Sequence, residues 1–260
     1  MATSYGPQFP GIEEGLIICF DPKNRDSWKG GAEVYNVINT SYSASAQNFD
    51  ANSEWDNAIT DGGYINLDGS NDYLKIAQSS VYGGNLNGLT SFTVQVWFRS
   101  ETVSGPGVVL GNWKSGTAQR SWQVRHNGTA WEGNVSVGGA YAGGGDGTTG
   151  TDIHWIKTSA ISADTWYCGT FYLDGSTSPA GVGGNISSTS FGAFQNWTWD
   201  YSGTMTPYNA SFLAIGDSNS DGGNGGEFTG DLGPLMVYNR ALSTAEMETN
   251  YNRLKGRFGL

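Results

Sequence analysis

The sequence contains few residues of the types that most enzymes and metal sites use. Two of its 260 residues are histidine, two are cysteine, and 14% are charged. His126 and His154 lie in neither an H-E-x-x-H nor a triad-like setting, so a surface or turn role is expected for each. Cys19 and Cys168 lie in apolar, strand-like runs, which favours two buried free thiols over a disulfide and synthesis in a reducing cytoplasm.

Positive charge and long hydrophobic runs are also scarce. The chain has 13 Lys and Arg against 24 Asp and Glu, a formal net charge of -11 and a pI of about 4.4. This balance argues against nucleic acid and anionic membranes as partners. No apolar run reaches the roughly 18 residues of a membrane span, and the polar start "MATSYGPQFP" lacks the apolar core of a signal peptide.

The paired carboxylates of a glycoside hydrolase are not evident. Retaining enzymes need two carboxylates about 5–5.5 Å apart, and on one strand such residues must alternate to face the same side. Glu13 and Glu14 are adjacent, and Glu54 and Asp56 lie in a polar, loop-like context. The chain is therefore expected not to be an enzyme, and no catalytic residue is assigned.

Glycine and aromatic residues are abundant and indicate many short strands. The chain has 40 glycines, and 13% of its residues are aromatic. About a dozen strand-like segments are separated by turn signals, the pattern of an antiparallel β-sandwich. In "SFTVQVWFRS" (91–100) apolar residues alternate with residues of the opposite face. The inward set predicted for this strand is Phe92, Val94, Val96 and Phe98.

The segment "YNRALSTAEMETNYNRLKGRFGL" (238–260) predicts a short C-terminal helix. Ser243 and Glu246 form an S-x-x-E capping box, and Gly256 is the predicted stop signal. Met247, Tyr251 and Leu254 repeat at i, i+4 and i+7 and form one apolar stripe, and Leu242 and Met247 lie at the positions of a hydrophobic staple. A helix of about three turns is marginal alone and must dock on the sheets.

Three motifs resemble those of laminin-G-like, concanavalin A-like jelly-roll domains. They are "LDGSNDYLKI" (67–76), "SFTVQVWF" (91–98) and "FLAIGDSNSDGGNGGEFTGDLGPLMVYNRALSTAEM" (212–247). Their order and spacing agree with the family from about Gly15 to the end of the chain. The tail "NYNRLKGRFGL" (250–260) further resembles the ending of such domains in structural proteins of tailed phages, notably phages of marine cyanobacteria.

The resemblance implies a concanavalin A-like two-sheet antiparallel β-sandwich, with the helix at the edge or convex side. Residues 12–260 are expected to form this single domain, after an extended N-terminal arm at residues 1–11. The middle departs from the family pattern. There "TWYCGTFYLDG" (165–175) takes the place of one or two strands, and "GAFQNWTWDYSGTMTPY" (192–208) resembles an insertion.

Tryptophans in polar surroundings are the candidates for glycan or partner binding, because lectin-like sites combine an aromatic platform with hydrogen-bonding groups. The candidates are Trp113, Trp131, Trp197, Trp199 and Tyr201. For Trp113 and Trp131 the alternative is a partly buried position at a strand end. Trp197 and Trp199 share one strand face, which is either an exposed aromatic ladder or packed on the sheet below. Trp97, Trp122 and Trp166 are predicted to pack within the sandwich.

The segment "GDSNSDGGNGGEF" (216–228) resembles the first half of an oxygen-ligand Ca²⁺ loop. Asp217, Asn219 and Asp221 alternate as D-x-N-x-D and precede a glycine. The twelfth position, where a bidentate glutamate belongs, is Phe228. The loop is therefore a candidate Ca²⁺ site, and a polar loop between strands is the alternative.

Together these features predict a virion structural protein of a tailed phage, displayed on the particle surface as a head decoration or fibre-associated subunit. The arm 1–11 would contact other virion proteins, and the sandwich could contact host surface glycans. The alternative is a stand-alone carbohydrate-binding module. Neither nucleic acid nor membrane is an expected partner, and the expected location is the virion, assembled in the host cytoplasm.

Overall fold

The alternating strand patterns fold into two antiparallel sheets that stack face to face. The computed structural model describes residues 11–24, 26–28, 32–38, 43–49, 63–77, 89–114, 119–136, 153–159, 161–199, 212–218 and 226–260. Within these ranges there are fifteen strands and one α-helix. The predicted β-sandwich with a short C-terminal helix is confirmed.

The strands are short and follow one another closely along the chain. In chain order they are β1 (Leu16–Phe20), β2 (Glu33–Tyr35), β3 (Ser43–Gln47), β4 (Ile65–Asp68), β5 (Tyr73–Ala77), β6 (Ser91–Ser100), β7 (Pro106–Lys114), β8 (Gln119–Asn127), β9 (Ala130–Ser136), β10 (Ile153–Ser159), β11 (Trp166–Asp174), β12 (Ala180–Ser187), β13 (Gln195–Trp199), β14 (Phe212–Ile215) and β15 (Thr229–Tyr238). One sheet has the order β1-β15-β6-β11-β12-β13, with β4 also paired to β15; the other has the order β10-β9-β8-β7-β14-β5-β3-β2.

Apolar side chains that alternate along the strands fill the space between the sheets. The inward set predicted for β6 is buried there. Its members are Phe92, Val94, Val96 and Phe98. Trp122 of the opposite sheet packs against Phe92, with ring centroids 5.2 Å apart, which confirms its predicted place in the core. Cys19 and Cys168 are buried free thiols, as predicted.

Glycines in each sheet leave gaps that aromatic rings of the other sheet occupy. A Cβ atom on Gly169 of β11 would lie 2.6 Å from the Trp131 ring of β9. In the reverse direction, a Cβ atom on Gly133 of β9 would collide with the Phe171 ring of β11. Each sheet therefore places one aromatic ring in a gap that a glycine leaves in the other sheet.

The helix α1 (Thr244–Leu254) begins at the predicted capping box. The Ser243 side chain accepts a hydrogen bond from the Glu246 amide, and the Ser243 amide donates to the Glu246 carboxylate at 2.8 Å. The apolar residues Leu242, Met247, Tyr251 and Leu254 pack against the outer face of the seven-stranded sheet. Because they cover the central strands, the helix lies on the face and not at the edge. No helix in the described ranges is long and apolar enough to cross a membrane.

The end of the helix differs from the prediction. Gly256 does not end the helical segment. It lies inside a 3-10 turn at Lys255–Phe258, and Gly259, the residue after this turn, adopts the left-handed conformation with φ 73°. The extra turn brings Phe258 onto the sheet, where its ring stacks on Trp97 with centroids 4.6 Å apart. Trp97 thus packs beneath the helix and not between the sheets, because it faces outward on β6.

A buried polar network joins the helix to the sheet and to the start of the described chain. Asn250 is fully buried, and its Nδ2 donates to the Gln95 Oε1 at 2.7 Å and to the Tyr238 hydroxyl at 2.9 Å. Its Oδ1 accepts from the Ile12 amide at 2.8 Å. Arg253 also holds this segment by donating to the Gly11 carbonyl at 3.1 Å.

Candidate functional site

The structure buries three of the tryptophans that the sequence suggested for ligand stacking, and two of them are almost fully enclosed. Trp131 is 1% exposed, stacks on Phe98 with centroids 5.1 Å apart, and donates its indole N–H to the Thr170 carbonyl. Trp199 is 2% exposed and belongs to the core between the sheets. Neither ring offers a free face to a ligand, so an exposed platform is wrong for both. For Trp131 the alternative of a strand-end position is correct, with the ring fully buried, and for Trp199 the packing alternative is correct.

The remaining aromatic candidates do not form an accessible platform in the described ranges. Trp113 is 5% exposed, with the Arg120 guanidinium 5.7 Å from its ring centroid. Trp197 pairs with Val182, so its position belongs to the core face of β13. The Trp197 side chain and all of Tyr201 lie outside the described residues.

Trp166, which was predicted to pack within the sandwich, is only partly buried. It lies between Tyr64 and Phe258 on the outer face, with centroid distances of 5.7 and 4.3 Å.

The candidate Ca²⁺ loop is described only at its first ligand position. Asp217 is fully buried, and its Oδ1 accepts from the Ser218 amide. Asn219 and Asp221 lie outside the described residues. Within the described ranges, no group of three or more His, Cys, Asp or Glu side chains is placed to hold a metal ion. The Ca²⁺ site therefore stays a prediction.

His126 does not have the surface or turn role that the sequence suggested. It is 2% exposed, and its Nε2 lies 3.1 Å from the Ser100 hydroxyl. Burial lowers the pKa of His126 to about 4, so the imidazole is neutral at physiological pH. Ser100 is itself buried and donates to the Thr102 carbonyl. The pair is therefore enclosed structure, with no access for a substrate.

A partly exposed set of aromatic and polar groups lies on the outer face of β11, β12 and β13. Gly183 pairs with Tyr172 on one side and with Asn196 on the other, and Gly181 lies in the next row. The inward neighbours Leu173 and Val182 are in the core, so this row faces outward. We call the row and its surroundings the β12 trough. It comprises Tyr172, Asp174, Gly181, Gly183, Asn196 and Thr198.

The trough depends on the absence of a side chain at Gly183. A Cβ atom there would collide with Cε1 of the Tyr172 ring and with Oδ1 of Asn196. The ring can therefore lie over the strand, and its hydroxyl donates to the Asn196 Oδ1 at 3.0 Å. By contrast, a Cβ atom at Gly181 would meet only the Asp174 Cβ, at an ordinary 3.6 Å.

Neighbouring aromatic residues support the Tyr172 ring on the side of the helix. The ring of Phe194 lies 6.0 Å from Tyr172, and Phe191 lies 5.8 Å from Phe194 and 5.6 Å from Tyr251. The loop that carries the two phenylalanines is tied to β12, because the Asn185 Nδ2 donates to the Gly192 carbonyl at 2.8 Å. The ring thus has packed support on one side.

The polar groups of the trough are suited to hydroxyl groups. Burial raises the pKa of Tyr172, and the negative charge of Asp174 raises it further, so the phenol stays protonated and donates to Asn196. Asn196 is exposed, and in the described ranges its Nδ2 has no acceptor. The Asp174 Oδ1 binds the amide and hydroxyl of Ser176, which leaves Oδ2 available. The trough therefore offers a ring, a donor and an acceptor.

The sequence contained a partial signal for this site. In "TWYCGTFYLDG" Tyr172 alternates with Phe171 and Leu173, and in "AGVGGNIS" Gly181 and Gly183 flank Val182. Alternation shows that these residues share a face opposite the core. It does not show where the helix covers that face, and the resemblance predicts an insertion over the residues of β13. The position of Tyr172 beyond the helix therefore required the structure.

These features define the protein as a two-sheet antiparallel β-sandwich with an open, aromatic and polar patch on one outer face. Comparison with known proteins gives structural neighbours only. No protein-family model matches the sequence. No curated protein matches it either.

The structural neighbours include binding domains of clostridial toxins. The binding domain of Paraclostridial Mosquitocidal Protein 1 has a TM-score of 0.58 and 13% identity over 92% of this chain and 52% of its own. The binding domain of botulinum neurotoxin DC, in complex with SialylT, has a TM-score of 0.56 and 10% identity over 92% and 52%. The serotype D ligand binding domain, in complex with N-acetylneuraminic acid, has a TM-score of 0.57 and 10% identity over 92% and 50%.

The chain thus spans about half the length of these neighbours. At such low identity the likeness establishes the shared β-sandwich fold. It does not carry binding residues from one chain to the other.

Proposed function

We propose that the protein is a carbohydrate-binding domain and that the β12 trough contacts the sugar. The observation that carries the proposal is the partly exposed Tyr172 ring over Gly183, hydrogen-bonded to the exposed Asn196. Botulinum neurotoxin domains of the same fold, in complex with SialylT or N-acetylneuraminic acid, support a ligand-binding use of such a sandwich.

The chemistry of the trough fits a sugar ring. An aromatic face packs against the C–H face of a sugar, while each hydroxyl both donates and accepts hydrogen bonds. The Asn196 Nδ2 would donate to one hydroxyl, and the Asp174 Oδ2 would accept from another. A trough of this shallow form uses few contacts, so the affinity of a single sugar is expected to be low.

Substitution of one glycine inside the trough and one outside it tests the site with matched changes. Gly183→Ala forces the Tyr172 ring and Asn196 apart, so we expect glycan binding to fall at least tenfold. Gly256→Ala adds the same methyl group outside the trough, where no heavy atom lies within 4 Å, and binding should stay within about twofold. A glycan array followed by titration calorimetry on the best ligand measures both effects.

Two further variants separate the ring from its hydroxyl. Tyr172→Ala should abolish glycan binding. Tyr172→Phe keeps the stacking surface and should lose only part of the affinity for the glycan. Each variant must keep the melting temperature of the native protein within a few degrees. Equal affinity of the Gly183→Ala variant and the native protein would contradict the trough as the sugar site.

We further propose that the domain is displayed on the surface of a tailed-phage particle, with the arm 1–11 as its attachment. The phage-like tail "NYNRLKGRFGL" and the acidic charge support an exposed outer layer over contact with packaged DNA. The structure describes only Gly11 of the arm, and holds it against the helix through Arg253. The alternative is a stand-alone carbohydrate-binding module.

Deletion of Met1–Pro10 tests the attachment. The retained residues Gly11 and Ile12 keep their bonds to the helix, so the domain should stay folded with an unchanged melting temperature. Incorporation into particles, measured by immunoblot of purified virions from a complementation assay, should be lost. Normal incorporation of the shortened protein would exclude the arm as the anchor.

A further inference from the structure

The strands that build the β12 trough come from a part of the chain that contains no basic residue. From Thr158 to Asn239 the sequence has no lysine, arginine or histidine, while acidic residues such as Asp174 and Asp200 recur. The strands β11, β12 and β13 and the segments that connect them all lie within this stretch. A positive charge can therefore reach the trough only from elements that are distant in sequence.

The basic residues of those elements are engaged elsewhere. Lys75, Arg120 and Arg125 belong to the opposite sheet, and the Lys255 Nζ lies 5.4 Å from the centroid of the Tyr251 ring. Three arginines each bind a carboxylate: Arg99 binds Asp231, Arg240 binds Glu246 and Arg257 binds Asp21. Among the described side chains, no basic group forms a hydrogen bond, an ion pair or a ring contact with a residue of the trough.

The charge that the trough does contain is negative and belongs to Asp174. This residue pairs with Gly181 across β11 and β12, and its side chain is partly exposed. In the described ranges its Oδ1 is bound by Ser176, and its Oδ2 has no partner. Its charge also acts on the phenol of Tyr172, whose pKa it raises. A ligand that stacks on the Tyr172 ring therefore lies close to the Asp174 carboxylate.

A neutral sugar and an acidic sugar meet different conditions at such a site. A ligand carboxylate is bound best by arginine or lysine, but here it would approach the Asp174 carboxylate. Two like charges repel each other, and the repulsion is stronger where protein partly excludes water. A sugar hydroxyl, by contrast, can donate to the Asp174 Oδ2 and accept from the Asn196 Nδ2. The trough therefore favours hydroxyl groups over acidic groups.

We propose that the β12 trough selects uncharged sugar units and that Asp174 sets this selectivity by repelling a ligand carboxylate. The inference rests on the proposed function of the trough as a sugar site. It assigns to Asp174 a specificity role in addition to that of a hydrogen-bond acceptor. The ligand class is thus a hexose or N-acetylhexosamine unit, and sialic and uronic acids are excluded.

Pairs of sugars that differ by an acidic group test the selectivity. The probes are galactose against galacturonic acid, glucose against glucuronic acid, and lactose against 3′-sialyllactose, each titrated up to about 50 mM because the affinity is expected to be low. The neutral member of at least one pair should bind, and its acidic counterpart should bind about tenfold more weakly. The difference should shrink at high salt, since salt screens exposed charges.

Asp174→Asn then removes the charge and keeps an oxygen at the same place. The neutral sugar should bind more weakly, because an amide oxygen accepts a weaker hydrogen bond than a carboxylate. The acidic sugar should bind more tightly, so that the two affinities move in opposite directions. Glu248→Gln, at an exposed position of the helix, removes the same charge outside the trough and should leave both affinities unchanged.

The outcomes separate the selectivity from the sugar site itself. An acidic sugar that binds as tightly as its neutral counterpart, with binding lost in Gly183→Ala, would overturn the selectivity and leave the trough as the sugar site. Equal ratios of the two affinities in Asp174→Asn and Glu248→Gln would also overturn it, as would the absence of binding by all six probes. Sugar binding that Gly183→Ala does not weaken would instead contradict the proposed function.

Discussion

Replacing Asn250 by alanine is expected to lower the free energy of unfolding by about 3–5 kcal/mol and the melting temperature by about 6–15 °C. The reason is that one fully buried side chain serves three partners at once: the Gln95 Oε1, the Tyr238 hydroxyl and the Ile12 amide. Alanine removes all three bonds and leaves the groups of Gln95 and Tyr238 buried without these partners.

The helix itself supplies the matched control. Asn252 lies on the exposed side of α1, so Asn252→Ala makes the same chemical change without touching the network. Its effect should stay within about 0.5 kcal/mol. Urea denaturation followed by tryptophan fluorescence measures both variants. Equal midpoints for the two would show that the network beneath the helix contributes nothing to stability.

The second large effect is a loss of stability as the pH falls through the titration range of His126. Burial holds the pKa of His126 at about 4 in the folded protein, against about 6.5 in an unfolded chain. Between these values the unfolded chain binds the proton and the folded protein does not, so acidification favours unfolding. The full contribution is about 3 kcal/mol, of which about 2 kcal/mol is lost between pH 7.5 and 5.

His126→Gln should flatten this dependence, because glutamine does not titrate. The ion pair at the start of the helix titrates outside this window: the Arg240 guanidinium lowers the pKa of Glu246 to about 2, and the stability from that pair is lost only below about pH 4.5. A slope that persists in His126→Gln would refute the assignment.

Local patterns were sufficient to predict the elements of the fold. The alternation in β6 and the capping box at Ser243 are properties of neighbouring residues, and the structure reproduces both. The end of the helix was not predictable in the same way. A glycine at 256 is a local stop signal, but Phe258 finds a partner in Trp97, a residue more than a hundred positions away in the chain. Tertiary packing therefore extends the turn past the local signal.

The same limit explains the errors among the candidate site residues. Trp131 lies in the polar segment "NGTAWEGN", which suggests an exposed ring. Its burial depends on Gly169, which opens a gap for the ring in a strand of the other sheet. Tyr172 lies in a strand full of apolar residues, which suggests burial. Its exposure depends on the extent of a helix near the C-terminus. Neither relation can be read from residues close in sequence.

The interlocked rings at Gly133 and Gly169 also bear on how the domain responds to mechanical load. The Trp131 ring is seated in a gap of the seven-stranded sheet, and the Phe171 ring is seated in a gap of the eight-stranded sheet. Because protein interiors are packed as densely as crystals, neither layer can slide along its strands until a ring has left its gap. Shear applied across the sandwich is thus opposed by two aromatic rings, Trp131 and Phe171, that project in opposite directions.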